Sequence, residues 1–150
     1  MFPLQDWPAA WHDLSRLLIS YLLALPVGWY REREAHTIGV RTFPLVAVAA
    51  CGYVLLAAGD RADVAAQSRI IQGLVTGIGF IGGGAILRAG RSVHGTATAA
   101  SIWSTGALGA AVAVDRFYMA LMLSILSLIT LRVLLPIKEK LDQHRGHPDI

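Results

Sequence analysis

Few side chains in this sequence are suited to chemistry, and their spacing narrows what that chemistry can be. Asp60 and Asp63 stand beside Arg61 and close to Arg69. Two carboxylates in a polar connection can hold Mg²⁺ through water, because that ion gives up its hydration shell reluctantly. The same residues also read as a solvated loop in which Arg69 neutralises an acid. Arg31, Glu32, Arg33 and Glu34 form a run of alternating charge. It reads either as a helix end at a polar boundary, or as Arg31 and Glu32 pairing with Arg41 or Arg88. Arg88, Arg91 and His94 follow the triplet Gly82-Gly83-Gly84. Three consecutive glycines cost a helix about 3 kcal/mol relative to alanine in soluble hosts. A break there would bare backbone groups beside a basic turn and suit an anion or an acidic lipid headgroup.

Other chemistries find less support. Ser101, Ser104, Ser124 and Ser127 have no acid–base partner nearby in sequence, and no phosphate-binding loop or GxSxG elbow is present. No enzyme and no cofactor is expected, with Mg²⁺ the one ligand to consider. His144 and His147 have metal-ligand spacing, but they lie in a polar tail where no metal site is expected. Cys51 is the single cysteine, which rules out an intramolecular disulfide, and its setting AVAACGYV suits a small buried residue. No basic patch interleaved with aromatics points to nucleic acid.

The elements that carry these residues follow from composition. The chain of 150 residues is 55% hydrophobic and 15% charged, with a mean hydropathy of +0.54. Soluble domains carry about 25% charged residues, so the shortfall implies a membrane protein. A helix crosses a bilayer with about 20 apolar residues, within a range of roughly 17–25. Five runs come close: Leu14–Tyr30, Thr42–Ala58, Ile70–Leu87, Gly95–Val114 and Phe117–Ile137. They are too long and too evenly apolar for barrel strands. The expected fold is an all-α integral membrane bundle of five transmembrane helices over residues 1–137, with a short polar cytoplasmic tail over 138–150. Pro26 is expected to kink or end the first helix. The N-terminus, with Asp6 and Asp13 ahead of any arginine, lacks the basic start of a signal peptide, so the first run is expected to be retained.

Orientation follows from the basic residues. Arg31, Arg33, Arg41, Arg88, Arg91, Arg132, Lys138, Lys140 and Arg145 fall on one side of the five runs. Arg16, Arg61, Arg69 and Arg116 fall on the other, diluted by five aspartates. The N-terminus is therefore expected outside and the C-terminus in the cytoplasm. Trp7, Trp11, Trp29 and Tyr30 flank the first run as interfacial aromatics do.

Runs three and four are rich in small residues. Gly73 and Gly77, and Gly79 and Gly83, have the spacing that lets helix backbones approach closely in lipid. Ala97, Ser101, Thr105, Gly109 and Ala113 form a small stripe along one helical face. The two runs are expected to pack on each other or on a second copy of the chain. Gln72, Thr76, Thr96, Thr98, Ser101, Ser104 and Thr105 read as interhelical glue, each bond averaging about 0.6 kcal/mol.

The segment RIIQGLVTGIGFIGGGAILR followed by VHGTATAASIW resembles the signature of the MgtC/SapB family of bacterial inner-membrane proteins. VGWYRERE and GVRTFPLVAVAAC resemble that family's first cytoplasmic loop and second span, including Gly28, Arg31, Glu32, Arg41 and Thr42. The likeness covers Val27 to Val114. It implies a multi-pass protein of the bacterial inner membrane. It also implies an acidic residue before the third span, a place either Asp60 or Asp63 could fill. Longer members carry a cytoplasmic C-terminal domain, so a short form is expected here. The family is associated with growth at low magnesium, with acid or host stress, and with modulating membrane machinery such as ATP synthase.

Two function classes stand. One is a regulatory protein acting on other membrane proteins. The other is a transporter of Mg²⁺ or another cation, assembled as a homo-oligomer. Away from the helix ends no Asp or Glu lies within the five runs. Intramembrane carboxylates normally mark cation pathways, so the residues favour the first.

Overall fold

The computed structural model describes residues 7–35, 39–57, 64–89 and 92–145, and for 35, 89, 92 and 135–145 the backbone alone. It contains five helices: α1 (Trp7–Ala35), α2 (Thr42–Ala57), α3 (Val64–Gly84), α4 (Thr96–Ala113) and α5 (Phe117–Arg145). A hairpin of β1 (Leu87–Ala89) and β2 (Ser92–His94) joins α3 to α4. Among the described residues the protein is helical apart from that hairpin and short connections. Two stretches, Val64–Gly84 and Phe117–Leu134, are long and apolar enough to cross a membrane, and α2 is a shorter apolar helix. Large apolar side chains face outward, with Leu56 81% and Phe80 85% exposed. Water-soluble surfaces rarely show apolar patches on this scale.

Each expected apolar run falls mainly within a helix, but the boundaries shift. α1 continues past Pro26, so the proline does not end the helix as one of the two expected outcomes had it. Packing holds the segment beyond the proline: Val27 is buried, and Gly28 lies against the Gly39 carbonyl and Phe43, where a Cβ would sit 3.0 and 3.1 Å away. α3 does end at the glycine triplet. The expected turn is a short antiparallel ladder pairing Leu87 with His94 and Arg88 with Val93. Leu87 therefore belongs to a strand, beyond the helix.

α4 is the central helix and touches each of the other four. Its small residues permit this. Gly109 meets the backbone carbonyl of Ala47 on α2, and Gly106 lies beneath the Ile78 side chain of α3. Two apolar clusters fill the interior. One holds Ala24, Ala47, Cys51, Leu108 and Val112; the other holds Val27, Phe43, Ile78, Ile102 and Leu131.

Three side-chain links set the register of α1 against α5. Ser124 Oγ donates to the Leu23 carbonyl at 2.8 Å. Tyr30 Oη donates to the Leu131 carbonyl at 3.4 Å. Arg16 reaches Asp115, just ahead of α5. Residue pairs that advance together along both helices require α1 and α5 to run parallel and in step. By the same logic α1 and α4 are antiparallel, because Arg31 reaches Thr98 while Arg16 reaches Asp115.

α3 departs most from expectation. Only Ile78 and Gly82 are buried in it. A Cβ built at Gly73, Gly77, Gly79 or Gly83 would meet nothing within 4 Å. Within one chain these glycines do not pack against α4. Gly82 makes the close approach instead, where a Cβ would lie 3.2 Å from the Ala99 carbonyl. Ser101, Thr105 and Gly109 are buried, and the closest approach along their stripe, at Gly109, is to α2. α3 lies at the edge of the bundle, so only one side of it meets protein.

Candidate functional site

Two arginines are buried on α1, and each ties that helix to an end of α4. Arg31 is 4% exposed. Its Nη1 donates to Glu34 Oε2 at 2.7 Å, and its Nη2 donates to Thr98 Oγ1 in the first turn of α4. Its Nε has no protein partner among the described residues. A helix N-terminus carries positive partial charge, so a guanidinium beside the first turn of α4 needs an acid, and Glu34 supplies it. Glu32 completes this end: its Oε2 accepts the Val40 N–H at 2.9 Å, fastening the α1–α2 connection.

Arg16 is the second. Its Nε donates to Asp115 Oδ1 at 3.0 Å, its Nη2 to Asp115 Oδ2, and its Nη1 to His12 Nδ1 at 2.6 Å. The fork geometry fits a carboxylate, and such bidentate pairs are among the strongest charge-assisted bonds. The hydrogen bond from Arg16 holds the Asp115 carboxyl below the ordinary carboxylate range. Asp115 also terminates α4. It has φ of 59°; its N–H donates to Val112 at 3.1 Å, and that of Arg116 to Ala111 at 2.9 Å. This is a Schellman ending, a left-handed position that glycine usually fills. Asp tolerates the conformation better than most residues, and here it brings a carboxylate to Arg16.

The other residues singled out from sequence are dispersed. Arg31 and Glu32 do not pair with Arg41 or Arg88; their partners are Glu34, Thr98 and the Val40 amide. The reason is geometric. Gly28 and Gly39 pack closely enough to fold the α1–α2 connection back over Glu32, and Arg88 stands exposed on β1. Arg41 is exposed, and its carbonyl accepts the Leu45 N–H in the first turn of α2 at 3.4 Å. Gln72 is exposed near the middle of α3, its carbonyl accepting from Thr76 at 2.9 Å. Arg69 is exposed at a groove of about 740 Å³ between α2 and α3, alongside Tyr53, Gly73 and Gly77. Asp60, Asp63 and Arg91 lie outside the described residues. Among the described residues no group of three His, Cys, Asp or Glu side chains could hold a metal.

Arg16 and Asp115 were absent from the residues the sequence pointed to as a site. A signal did exist: Arg16 lies inside the first apolar run, where a charge demands a partner. Its partner is ninety-nine positions away, beyond the reach of any local pattern.

Two helices are long and apolar enough to cross a membrane, and large apolar side chains face outward from the bundle. The chain belongs to the MgtC family, whose profile matches residues 17–140, and members of that family are bacterial membrane proteins. It is 39% identical to "Protein SrpB" of Synechococcus elongatus, over 81% of this chain and 74% of that protein. It is 32% identical to "Protein MgtC" of Salmonella typhimurium, over 87% of this chain and 55% of that protein. It is 29% identical to the Escherichia coli protein named "Putative magnesium transporter YhiD", over 80% of this chain and 59% of that protein. The chain thus spans little more than half the length of the last two. No solved structure matches it.

Proposed function

We propose that the five helices span the bacterial inner membrane with the N-terminus outside and the C-terminus in the cytoplasm. In this reading the protein serves magnesium homeostasis and stress adaptation as a non-catalytic regulator of other membrane machinery. The names of its relatives support the link to magnesium. The outward apolar surface and the one-sided distribution of Arg and Lys support the topology.

The observation that carries the regulatory reading is the pair of buried arginines. Arg16 and Arg31 lie roughly 22 Å apart along α1 at the helical rise of about 1.5 Å per residue. A cation entering the α1–α4 seam would meet at either end a carboxylate, Asp115 or Glu34, already engaged by a guanidinium, so neither acid is free to hold it. The buried hydroxyls between them are neutral and donate to carbonyls of their own helix. Ser101 Oγ donates to the Ala97 carbonyl at 2.7 Å and Thr105 Oγ1 to the Ser101 carbonyl at 2.8 Å. Mg²⁺ fits better as a ligand of the outer connection, at Asp60 or Asp63, than as cargo.

A second reading, a cation transporter built from several copies, is favoured by the open face of α3 at Gly73 and Gly77. Proteoliposomes holding only this protein separate the two. The regulatory reading expects no saturable Mg²⁺ flux above empty liposomes, together with restored low-magnesium growth in a strain lacking its own family member. Saturable flux that disappears in Gln72→Ala would overturn it, because Gln72 lies on the α3 face that a multi-copy pore would use.

A further inference from the structure

A cleft of about 550 Å³ opens between the last turns of α1 and the middle of α5, beside the Arg31–Glu34 pair. Arg33 and Arg132 stand at its polar end, and Pro26 and Leu128 at its apolar end. Trp29 and Tyr30 also line it. We propose that this cleft binds one anionic phospholipid, the phosphate held by Arg33 and Arg132 and the upper acyl chain lying along Pro26 and Leu128.

The cleft is built by the parallel register of α1 and α5. Because Leu23 is linked to Ser124 and Tyr30 to Leu131, Arg132 is brought to the level of the Arg31–Arg33 turn. Two guanidiniums from different helices thereby face one space. Neither forms an ion pair among the described residues. The one acid that lines the cleft, Glu34, is engaged by Arg31 at 2.7 Å. The cleft therefore carries positive charge with no described counter-ion.

Polarity also changes along the cleft in the way a phospholipid requires. From Arg33 back to Pro26 is about 10 Å of helix, two turns at 5.4 Å pitch. Over that distance the lining passes from guanidinium to indole and phenol, then to proline and leucine. Trp and Tyr favour the headgroup level of a bilayer. The Arg33 guanidinium lies 5.3 Å from the centroid of the Trp29 ring, close enough for a cation–π contact that holds it beside the mouth. A free anion would use the arginines and leave the apolar half empty, whereas a neutral lipid would leave the charge unmet.

The inference rests on the proposed membrane topology, which places this end of the bundle in the anionic cytoplasmic leaflet. The test uses the whole chain, extracted in neutral detergent and placed in nanodiscs of phosphatidylcholine with phosphatidylglycerol. Native mass spectrometry reads the lipid retained. Each basic residue near an anionic surface contributes about 1 kcal/mol, so two arginines give a preference of about 30-fold for phosphatidylglycerol, about 2 kcal/mol at 1.4 kcal/mol per tenfold. Arg33→Gln combined with Arg132→Gln should abolish the preference, and each single variant should reduce it. Arg69→Gln, at the opposite end of the bundle, should leave it intact. Thermal unfolding of the same variants checks that they remain folded. Equal retention of both lipids by the wild type overturns the proposal, as does preference surviving in the double variant. Inorganic phosphate raising the unfolding temperature as much as phosphatidylglycerol would also overturn it. If the protein needs no detergent for extraction, the membrane reading itself fails, an outcome distinct from membrane protein without lipid preference.

Discussion

Removing the acid from Arg31 should destabilise the protein far more than removing the whole pair. In Glu34→Met the guanidinium stays among buried groups with Thr98 as its one remaining partner, since its Nε already has none among the described residues. Breaking a fully buried pair by deleting one partner costs about 3–5 kcal/mol. The Arg31 side chain is 5% exposed but that of Glu34 is 21% exposed. Some solvent therefore reaches the pair, and the low end of that range, about 3 kcal/mol, is expected. That is roughly a hundredfold in the folded-to-unfolded ratio. Arg31→Met with Glu34→Met removes both charges and keeps the volume. Such replacements are often neutral or stabilising, and the Thr98 hydroxyl gives up one hydrogen bond worth about 1 kcal/mol. The double variant should therefore unfold close to wild type. The assay is denaturation of purified protein in mixed micelles, followed by tryptophan fluorescence, beside low-magnesium growth. If Glu34→Met unfolds within about 1 kcal/mol of wild type, Arg31 is not held as a buried charge, and the argument built on it fails. A double variant that is stable but does not support growth would assign Arg31 a role beyond packing.

Two further outcomes test the packing and the other clamp. Gly109→Ala should destabilise by about 1–3 kcal/mol through overpacking against Ala47, whereas Gly77→Ala should gain up to about 1 kcal/mol from helix propensity; micelle unfolding reads both. Gly77 lines the groove between α2 and α3, where an added Cβ meets nothing within 4 Å; loss of assembly in Gly77→Leu with unfolding unchanged, read by size-exclusion light scattering, would locate a second copy at α3. The Arg16 hydrogen bond holds the Asp115 carboxyl below the ordinary carboxylate range when folded, so its stabilisation is fully present above the unfolded value and is lost as pH falls through the folded one. Wild type should therefore lose stability below about pH 4, and Asp115→Asn, which keeps the left-handed cap, should show a flatter unfolding profile over that window.

The apolar runs were legible because their signal is local. About 18 consecutive apolar residues mark a helix able to cross a membrane wherever they occur, and the helices of the structure overlie those runs. The family was legible for a similar reason: the contiguous segments around Gly28, Arg31, Gly77 and Gly82 carry its signature. The small-residue stripe of α4 was also readable, since Ser101, Thr105 and Gly109 recur at helical spacing and are buried. Spacing identifies a face that can approach another helix, but it does not say which helix. α2 took the Gly109 position. The matching stripe of Gly73, Gly77, Gly79 and Gly83 was left open, because α3 reached the bundle edge through Ile78 and Gly82. Pro26 read as a kink or an end because propensity counts only the lost donor, whereas packing at Val27 and Gly28 continues the helix. The pairing of Arg31 with Glu34 lies within one helical turn, yet from sequence Arg31 and Glu32 read as partners of Arg41 or Arg88, because spacing alone does not rank a neighbour on the same helix above a partner across the bundle. The clamps to Thr98 and Asp115 join residues far apart in the chain. What the sequence determined by itself was the set of helices, their small and charged faces and the family. Which faces meet, and therefore which charges are buried, was decided only by the tertiary structure, because five helices share one interior and each contact taken by one is closed to the rest.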